Sequence, residues 1–431
     1  MDKHKLKWLY PGMGVKRWLA LLVLGVFAIA FGVTVAFSTS FLSTVEQGLF
    51  ARLEAHNWNF LVVGLVFIIC GAVFIGVAIR QGIRSIISAI RPEDVPNLVE
   101  HVYKSRNLHK GPHIVTIGGG TGLSTMLRGL KPYSANLTAI VTVADDGGSS
   151  GRIREELGIL PPGDIRNTLI ALADTEPLME KLFQYRFSWG EGLAGHSFGN
   201  LFIAAMTDIT GDFEQSIREF SKVLAVRGKV LPSTLETVRL GAEYSDGTLA
   251  LGESNIPQAG KKIKRVFLDQ PQAQALPEAL EAIAHADVVV LGPGSLFTSV
   301  IPNLLIGSLV DALVSTSALR VYVCNVMTQP GETDGFTACD HVEALLAHAH
   351  NRNILDLVIV NEAPISATQR RKYALEGAYP VQADVSRLKA LGLEVRQGNY
   401  LDQLDLVRHD SEKLAEEIMV LAGHHHNYRA I

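Results

Sequence analysis

The chain has 431 residues, of which 39 are Lys or Arg and 43 are Asp or Glu, so its formal net charge is −4. Charged residues make up 19% and hydrophobic residues 48% of the chain, which excludes a largely disordered protein. The three cysteines are scattered and odd in number, which excludes a disulfide framework and fits a reducing compartment.

Two uncharged apolar runs lie near the N-terminus, at residues 18–37 and 60–79. At about 1.5 Å of rise per residue, a helix over either run would be about 30 Å long, enough to cross the hydrocarbon core of a bilayer. Basic residues flank the outer ends of the pair, whereas the loop between the runs holds one, Arg52. The positive-inside rule therefore predicts a hairpin in the cytoplasmic (inner) membrane, with both ends in the cytoplasm.

The charge changes sign along the chain. Residues 1–110 contain 12 Lys or Arg and 6 Asp or Glu, whereas residues 111–431 contain 27 and 37. We therefore predict two regions: a tail, hairpin and linker over 1–110, and a ligand-binding domain over 111–431 that lies in the cytoplasm. An acidic domain argues against nucleic acid as a partner. Its apolar composition is also compatible with a homodimer.

From residue 113 onward, short β-branched runs alternate with helical stretches. Five runs are predicted to be buried strands: 113–117, 137–144, 287–291, 320–325 and 355–360. This alternation is typical of an α/β fold, a Rossmann-like parallel sheet with helices on both faces. Residues 231–270 break the pattern and predict a small β-rich insertion or cap. Ligands of such sheets bind at the carboxyl ends of the strands, so the loops that follow the strands are the candidate sites.

Two glycine-rich loops each follow a predicted strand and precede a helix. Their candidate ligand-binding residues are Gly118, Gly119, Gly120, Thr121 and Gly122 in the first loop, and Gly292, Gly294 and Ser295 in the second. Glycine lets the backbone approach a ligand, and a helix N-terminus offers N–H donors to phosphate. Two such loops predict a diphosphate or two phosphorylated ligands, and tight turns without a ligand are the alternative.

The second predicted strand ends in Asp145 and Asp146, and two interpretations of these carboxylates stay open. One of them could accept a ribose hydroxyl, as in dinucleotide-binding folds, or the pair could hold Mg²⁺ against phosphates. The residues that follow, Ser149, Ser150 and Arg152, are candidate ligands for phosphate oxygens.

Two further helix starts carry polar side chains. Asp164 fits either a helix N-cap or a site residue, and Asn167 shares its helix face. At the other start, His196 is a candidate acid–base residue and Asn200 a candidate ligand-binding residue. A purely structural role is the alternative for His196.

Six motifs occur in a fixed order: IGGGTG (117–122), VTVADDGGSSGRIR (141–154), LPPGDIRN (160–167), GHSFGNLF (195–202), LAVRGKVLPST (224–234) and GPGSLFTSVIPNLL (292–305). This set resembles the YvcK-type gluconeogenesis factors of the CofD-like superfamily, whose founding enzyme is 2-phospho-L-lactate transferase. The resemblance runs from about residue 113 to about residue 423, so the apolar hairpin lies outside it. It adds Arg227 to the candidate ligand-binding residues.

The resemblance implies a Rossmann-like core and a nucleotide ligand. In the transferase branch, a guanosine diphosphate moiety and Mg²⁺ are bound by acids that Asp145, Asp146 and Asp164 match. In the gluconeogenesis-factor branch, the ligand is a UDP-sugar such as UDP-N-acetylglucosamine, with contacts that Tyr373 and Arg408 match. A tyrosine can stack on the base, and an arginine can bind the diphosphate.

The resemblance thus predicts a membrane-anchored regulator of carbon flux, cell-wall precursor supply and cell shape that binds a UDP-sugar, with cell-wall synthesis proteins as partners. The alternative is a Mg²⁺-dependent transferase that moves a phospho-group from a nucleotide-activated donor. Residues 147–151 are small and polar where the transferase has bulkier residues beside its acceptor, which weighs against the alternative.

Overall fold

A computed structural model of the chain describes residues 16–37, 60–90, 107–174, 177–402 and 406–429. The chain divides into two compact units, Met1–Ser105 and Arg106–Ile431. The predicted N-terminal tail, the loop between the apolar runs and most of the predicted linker lie outside the described residues.

The smaller unit contains two long helices, Lys16–Phe37 and Phe60–Ile90. Within them, Lys16–Ala36 and Leu61–Ser85 are apolar enough, and at 21 and 25 residues long enough, to cross a membrane. The two apolar helices predicted from the sequence are therefore confirmed as helices, and the second is longer than its apolar run.

Glycines bring the backbones of these two helices into contact. A Cβ atom on Gly32 would lie 2.6 Å from the carbonyl oxygen of Gly64, and one on Gly71 would lie 2.6 Å from that of Gly25. Small residues at such crossings allow the close packing that stabilises helix pairs in lipid. The two pairs are seven residues apart on each helix, so they lie along one continuous interface.

The larger unit is built on a seven-stranded parallel sheet, whose strands are β1 (Ile114–Gly118), β2 (Leu137–Val141), β3 (Lys229–Pro232), β7 (Val288–Leu291), β8 (Leu319–Val323), β9 (Leu357–Asn361) and β10 (Glu394–Gly398). Their order in the sheet is β10-β9-β8-β7-β1-β2-β3. The sheet confirms the predicted Rossmann-like fold, and all five predicted strands are present.

The central strands are continuous apolar runs because helices cover the sheet. All four residues of β7 and all five of β1 are buried. The helices of this unit are Gly120–Leu130, Gly148–Leu157, Gly163–Leu172, Pro177–Gln184, Phe198–Thr210, Phe213–Val223, Pro277–Ala284, Ile301–Leu304, Gly307–Ser315, Ala338–His348, Ala367–Leu375, Val385–Ala390 and Ser411–Arg429.

A small, separate antiparallel sheet is inserted in the chain between β3 and β7, as predicted for residues 231–270. Its strands, in the order β5-β4-β6, are β4 (Leu240–Tyr244), β5 (Leu249–Leu251) and β6 (Ile263–Leu268). Two short 3₁₀ turns, Glu253–Asn255 and Pro257–Ala259, connect β5 to β6.

The strand order reverses between β1 and β7, which are neighbours although they are far apart in the chain. At such a switch point the loops at the carboxyl ends of the two strands diverge and leave a crevice between them. The two glycine-rich loops follow these two strands, so the fold brings them to opposite walls of one crevice.

Candidate ligand-binding site

An open cleft of about 240 Å³ lies at this switch point. Both glycine-rich loops, the loop after β8 and a segment near the C-terminus form its walls. Six of the predicted ligand-binding residues line it: Gly120, Thr121, Gly122, Gly294, Ser295 and Arg408. Gly118, Gly119 and Gly292 lie beside them in the same two loops.

A carboxylate of the chain itself supports the first glycine loop. Gly120 begins its helix at φ +68°, a conformation that favours glycine. Its backbone N–H donates a hydrogen bond to Asp164. The sequence left an N-cap role open for Asp164, but the helix cap is Pro162, and the Asp164 side chain reaches the glycine loop instead. The N–H groups of Thr121 and Gly122, in the first helical turn, remain for a ligand.

A second carboxylate supports the second glycine loop. Glu332, which is 8% exposed, accepts a hydrogen bond from Thr298 Oγ1 at 3.4 Å, and the backbone N–H groups of Phe297 and Thr298 oppose the rise in its pKa that burial causes. These N–H groups lie at the start of the helical turn Leu296–Val300, which follows the second glycine loop. They therefore already face a carboxylate of the chain.

The loop after β8 fixes the second glycine loop from the other side. The amide of Asn325 donates to the Gly294 carbonyl at 2.8 Å and accepts from the Gly294 N–H at 3.3 Å. Gln329 Nε2 donates to Ser295 Oγ at 2.7 Å. Both amides line the cleft.

Acidic side chains gather beneath the cleft, and their pKa values are raised. Burial, reinforced by the neighbouring Asp145 carboxylate, raises the pKa of Asp164 to about 6. Burial also raises the pKa of Asp145, whose Oδ1 accepts the Gly147 N–H at 2.9 Å. Burial is again the largest cause for two glutamates, raising the pKa of Glu253 to about 8 and that of Glu332 to about 7.

The two acids predicted to bind Mg²⁺ have different hydrogen-bond partners. Both oxygens of Asp146 accept backbone N–H groups of the insertion, from Glu253 at 3.0 Å and Ser254 at 2.9 Å. Asp146 therefore fastens the insertion to the end of β2. The Asp145 carboxylate interacts electrostatically with both Asp146 and Asp164. Across the described residues, no three His, Cys, Asp or Glu side chains are grouped as metal ligands.

Ser149, Ser150, His196 and Asn200 lie in a buried polar network rather than in the cleft wall. Asn200 Nδ2 donates to Ser149 Oγ at 3.1 Å, and Ser149 Oγ is 3.1 Å from His196 Nδ1. Burial, and the neighbouring Arg152, lower the pKa of His196, so the imidazole is neutral at pH 7. Since this histidine is 3% exposed, its position supports the structural alternative over the acid–base role.

Arg166 holds this network together. Its Nη1 donates to Ser197 Oγ and, at 2.8 Å, to Asn200 Oδ1, while Nη2 donates to Asn167 Oδ1 at 2.8 Å. Burial lowers the pKa of Arg166 to about 10, so it keeps its charge at pH 7. Asn167 is thus bound to Arg166, and it is not one of the residues that line the cleft.

Two predicted arginines lie outside the cleft. Arg152 donates to the Ala194 carbonyl at 2.9 Å and fastens the loop before His196. Arg227 precedes β3, so it lies at the amino edge of the parallel sheet, where it forms an ion pair with Asp174 at 2.5 Å. Its predicted role in ligand binding has no support from this position.

Tyr373 and Arg408 are brought close together but have different surroundings. Arg408 is exposed and lines the cleft. The Tyr373 hydroxyl accepts the backbone N–H of Val407 at 3.0 Å, and its ring packs on a small apolar cluster. Tyr373 therefore positions the segment that carries Arg408.

Sequence reasoning gave no individual role to four residues that shape the site: Arg166, Asn325, Gln329 and Glu332. Arg166 lies within a quoted motif, but its spacing gives no sign that its side chain is buried. The other three belong to the polar stretch after β8, which the sequence indicates as a further rim of the site because it follows a predicted strand.

The chain is similar to proteins of one family. Residues 114–401 match the family described as 2-phospho-L-lactate transferase CofD. A putative gluconeogenesis factor from Nostoc sp. is 47% identical over 98% of this chain and 93% of that protein. The gluconeogenesis factor of Bacillus subtilis is 53% identical over 72% of this chain and 98% of that protein. A crystal structure of a UPF0052 family member from Bacillus halodurans, 54% identical, has a TM-score of 0.70 and covers 72% of this chain and 99% of that chain.

These relatives differ in how much of the chain they match. The Nostoc protein aligns with 98% of this chain, so the alignment has to include both apolar helices. The two Bacillus proteins align over nearly their whole length but match only 72% of this chain. The resemblance found in the motifs is confirmed, and similarity to the longer relative extends into the apolar hairpin.

Proposed function

We propose, because this chain belongs to the CofD family and to the gluconeogenesis factors within it, that it is a membrane-anchored regulator that binds a UDP-sugar. In this proposal the ligand reports the supply of cell-wall precursors, and the chain passes that signal to proteins that control cell-wall synthesis, cell shape and carbon flux.

The observation that carries the proposal is the mixed chemistry of the cleft wall. The wall presents the backbone donors of the first glycine loop, the Ser295 hydroxyl and the exposed Arg408. It also contains the apolar residues Val326, Met327 and Val407, each at most 9% exposed. A nucleoside diphosphate needs both kinds of partner, because it combines charged phosphates with a flat base.

The membrane anchor in this proposal is the helix pair of the smaller unit. No Asp, Glu, Lys, Arg or His lies within 18–37 or 60–79, so an anchoring role is favoured over transport. The basic flanks favour an orientation with both ends in the cytoplasm, where nucleotide-sugars are made.

Calorimetry on the full chain in lipid nanodiscs tests the proposal with UDP-N-acetylglucosamine. We expect saturable binding with a Kd below about 1 mM, and at least about tenfold weaker binding for Arg408→Ala. Arg227→Ala is the matched control, because Arg227 lies at the opposite edge of the sheet. No binding at millimolar ligand, or equal losses in the two variants, would overturn the proposal.

A transferase activity is the second candidate, favoured by the approach of Asp145 to Asp164. A divalent cation between these two carboxylates would replace a proton and stabilise charge that develops on a phosphate. Incubation of the chain with Mg²⁺ and GDP- or UDP-activated donors tests this candidate. Turnover that Asp145→Asn abolishes would support it, and ligand binding without turnover would favour the regulator.

A further inference from the structure

We propose that Gln329 orients the Ser295 hydroxyl, so that its proton points into the cleft and donates to an anionic group held by the first glycine loop. This inference rests on the proposed function in one respect, that the ligand carries a phosphate.

Most backbone donors of the second glycine loop are already occupied. The N–H of Gly292 donates to the Ile117 carbonyl at 2.9 Å, and that of Gly294 donates to Asn325 Oδ1 at 3.3 Å. The N–H groups of Phe297 and Thr298 face the Glu332 carboxylate. An anion at this wall of the cleft therefore needs side-chain donors, and the Ser295 hydroxyl, which lines the cleft, is one of them.

Gln329 determines what that hydroxyl can offer. A serine hydroxyl has one donor and two acceptor sites. Because Gln329 Nε2 donates to Ser295 Oγ at 2.7 Å, one acceptor site is filled from the side of the protein, and the proton has to point elsewhere. A hydroxyl oriented in this way is a donor toward the cleft, which is the role that a phosphate oxygen requires.

The two loops are close enough to share one anion. A Cβ atom on Gly122 would lie 2.6 Å from the carbonyl oxygen of Pro293, and one on Gly294 would lie 3.1 Å from that of Gly119. Ser295 follows Gly294 directly, and it lines the same cleft as Thr121 and Gly122 of the first helical turn. One phosphate in the cleft could therefore accept from the N–H donors of that turn and from the Ser295 hydroxyl.

Four variants test the inference in the full chain: Ser295→Ala, Gln329→Leu, Gln329→Glu and the double variant Ser295→Ala with Gln329→Leu. Calorimetry measures their binding of UDP, of uridine and of inorganic diphosphate. We expect Ser295→Ala to bind UDP and diphosphate about tenfold more weakly while its affinity for uridine is unchanged. Gln329→Glu should lose at least as much, because a carboxylate only accepts and draws the serine proton out of the cleft.

The double variant separates positioning from a merely structural role. If Gln329 acts through Ser295, the double variant binds UDP no more weakly than Ser295→Ala alone. Gln215→Glu adds the same charge on an exposed helix and should bind like the unchanged chain. Melting curves confirm that every variant folds.

Each outcome decides a different question. Unchanged UDP binding in Gln329→Glu, or losses that simply add in the double variant, would overturn the inference. If the unchanged chain binds inorganic diphosphate but not UDP, the proposed function fails while the variant series with diphosphate still decides the inference. Binding of neither would overturn both.

Discussion

Asp164 occupies the space that a side chain on Gly119 would need. A Cβ atom on Gly119 would lie 2.5 Å from Asp164 Oδ2 and 2.8 Å from Thr142 Cγ2. The same carboxylate accepts the N–H of Gly120, so it cannot move away without leaving that donor unpaired. The missing side chain of Gly119 and the position of Asp164 therefore depend on each other.

We expect Gly119→Ala to destabilise the chain by about 2 kcal/mol, because the methyl group overpacks this contact. Gly118→Ala is the matched control, since the nearest atoms to its Cβ lie 3.8 Å away. Thermal unfolding of the two variants measures the difference. A Gly119→Ala variant as stable as Gly118→Ala would contradict the predicted contact.

The buried acids make stability depend on pH. The pKa values of Asp164, Glu332 and Glu253 are raised to about 6, 7 and 8, from ordinary values of 3.8 for aspartate and 4.5 for glutamate. The folded chain therefore holds these protons where the unfolded chain has lost them, and the stability they contribute is complete below about pH 4. It is lost as the pH rises through about 6 to 8.

We expect Glu332→Gln to remove one part of this dependence, because glutamine keeps the acceptor oxygen without a titratable proton. Between roughly pH 5 and pH 8, the unfolding free energy of the variant should fall by about 2 kcal/mol less than that of the unchanged chain. Urea unfolding at several pH values measures this. Parallel pH profiles for the two chains would show that Glu332 does not titrate in this range.

Arg166 should matter more for stability than any exposed arginine of the motifs. Arg166→Met leaves the acceptors on Ser197, Asn200 and Asn167 without their shared donor, and we expect a loss of about 3 kcal/mol. Arg152→Met removes one hydrogen bond at a partly exposed site, so we expect a loss of less than about 1 kcal/mol. Chemical denaturation of both variants compares them, and equal losses would contradict the assigned network.

The glycine pairs of the apolar helices lead to a prediction for the smaller unit. Gly32→Val should force the helices apart, because its Cβ would lie 2.6 Å from a carbonyl oxygen of the other helix. Gly76→Val is the matched control, since no atom lies within 4 Å of a Cβ there.

Cross-linking between the helices measures this effect. The ring centroids of Phe31 and Phe67 are 5.0 Å apart, so cysteines at these two positions, with Cys70 replaced by serine, should be joined by a short bifunctional thiol reagent. We expect Gly32→Val to lower the cross-linking yield several-fold and Gly76→Val to leave it unchanged. Equal yields in the two variants would show that the glycine contact does not hold the pair together.

The strands that the sequence predicted are the ones that helices cover. Val288–Leu291 is fully buried, and its unbroken apolar run is what a covered parallel strand requires. The two strands that were not predicted, β3 and β10, form the edges of the sheet. β10 has no fully buried residue, so its sequence carries no apolar run by which it could be found.

The loops that form the candidate site could be predicted from the sequence, but the contacts between their residues could not. Strand ends and glycines identified both walls of the cleft, because those features are local in the sequence. Asp146 accepts from Glu253 and Ser254, and Phe297 lies beside Glu332. These partners are far apart in the chain, so no spacing in the sequence indicates them. Arg227 was included on its motif alone, and the fold puts it at the other edge of the sheet.

Both glycine loops are held in place by acids and amides of the chain itself. Under the proposed function, a nucleotide that enters the cleft would meet walls that are already ordered, and its binding free energy would not be reduced by the entropy cost of folding a loop around it. Association should accordingly be rapid and involve little change in backbone order. The proposed sensing role needs such a response, because occupancy would then follow supply without a slow conformational step.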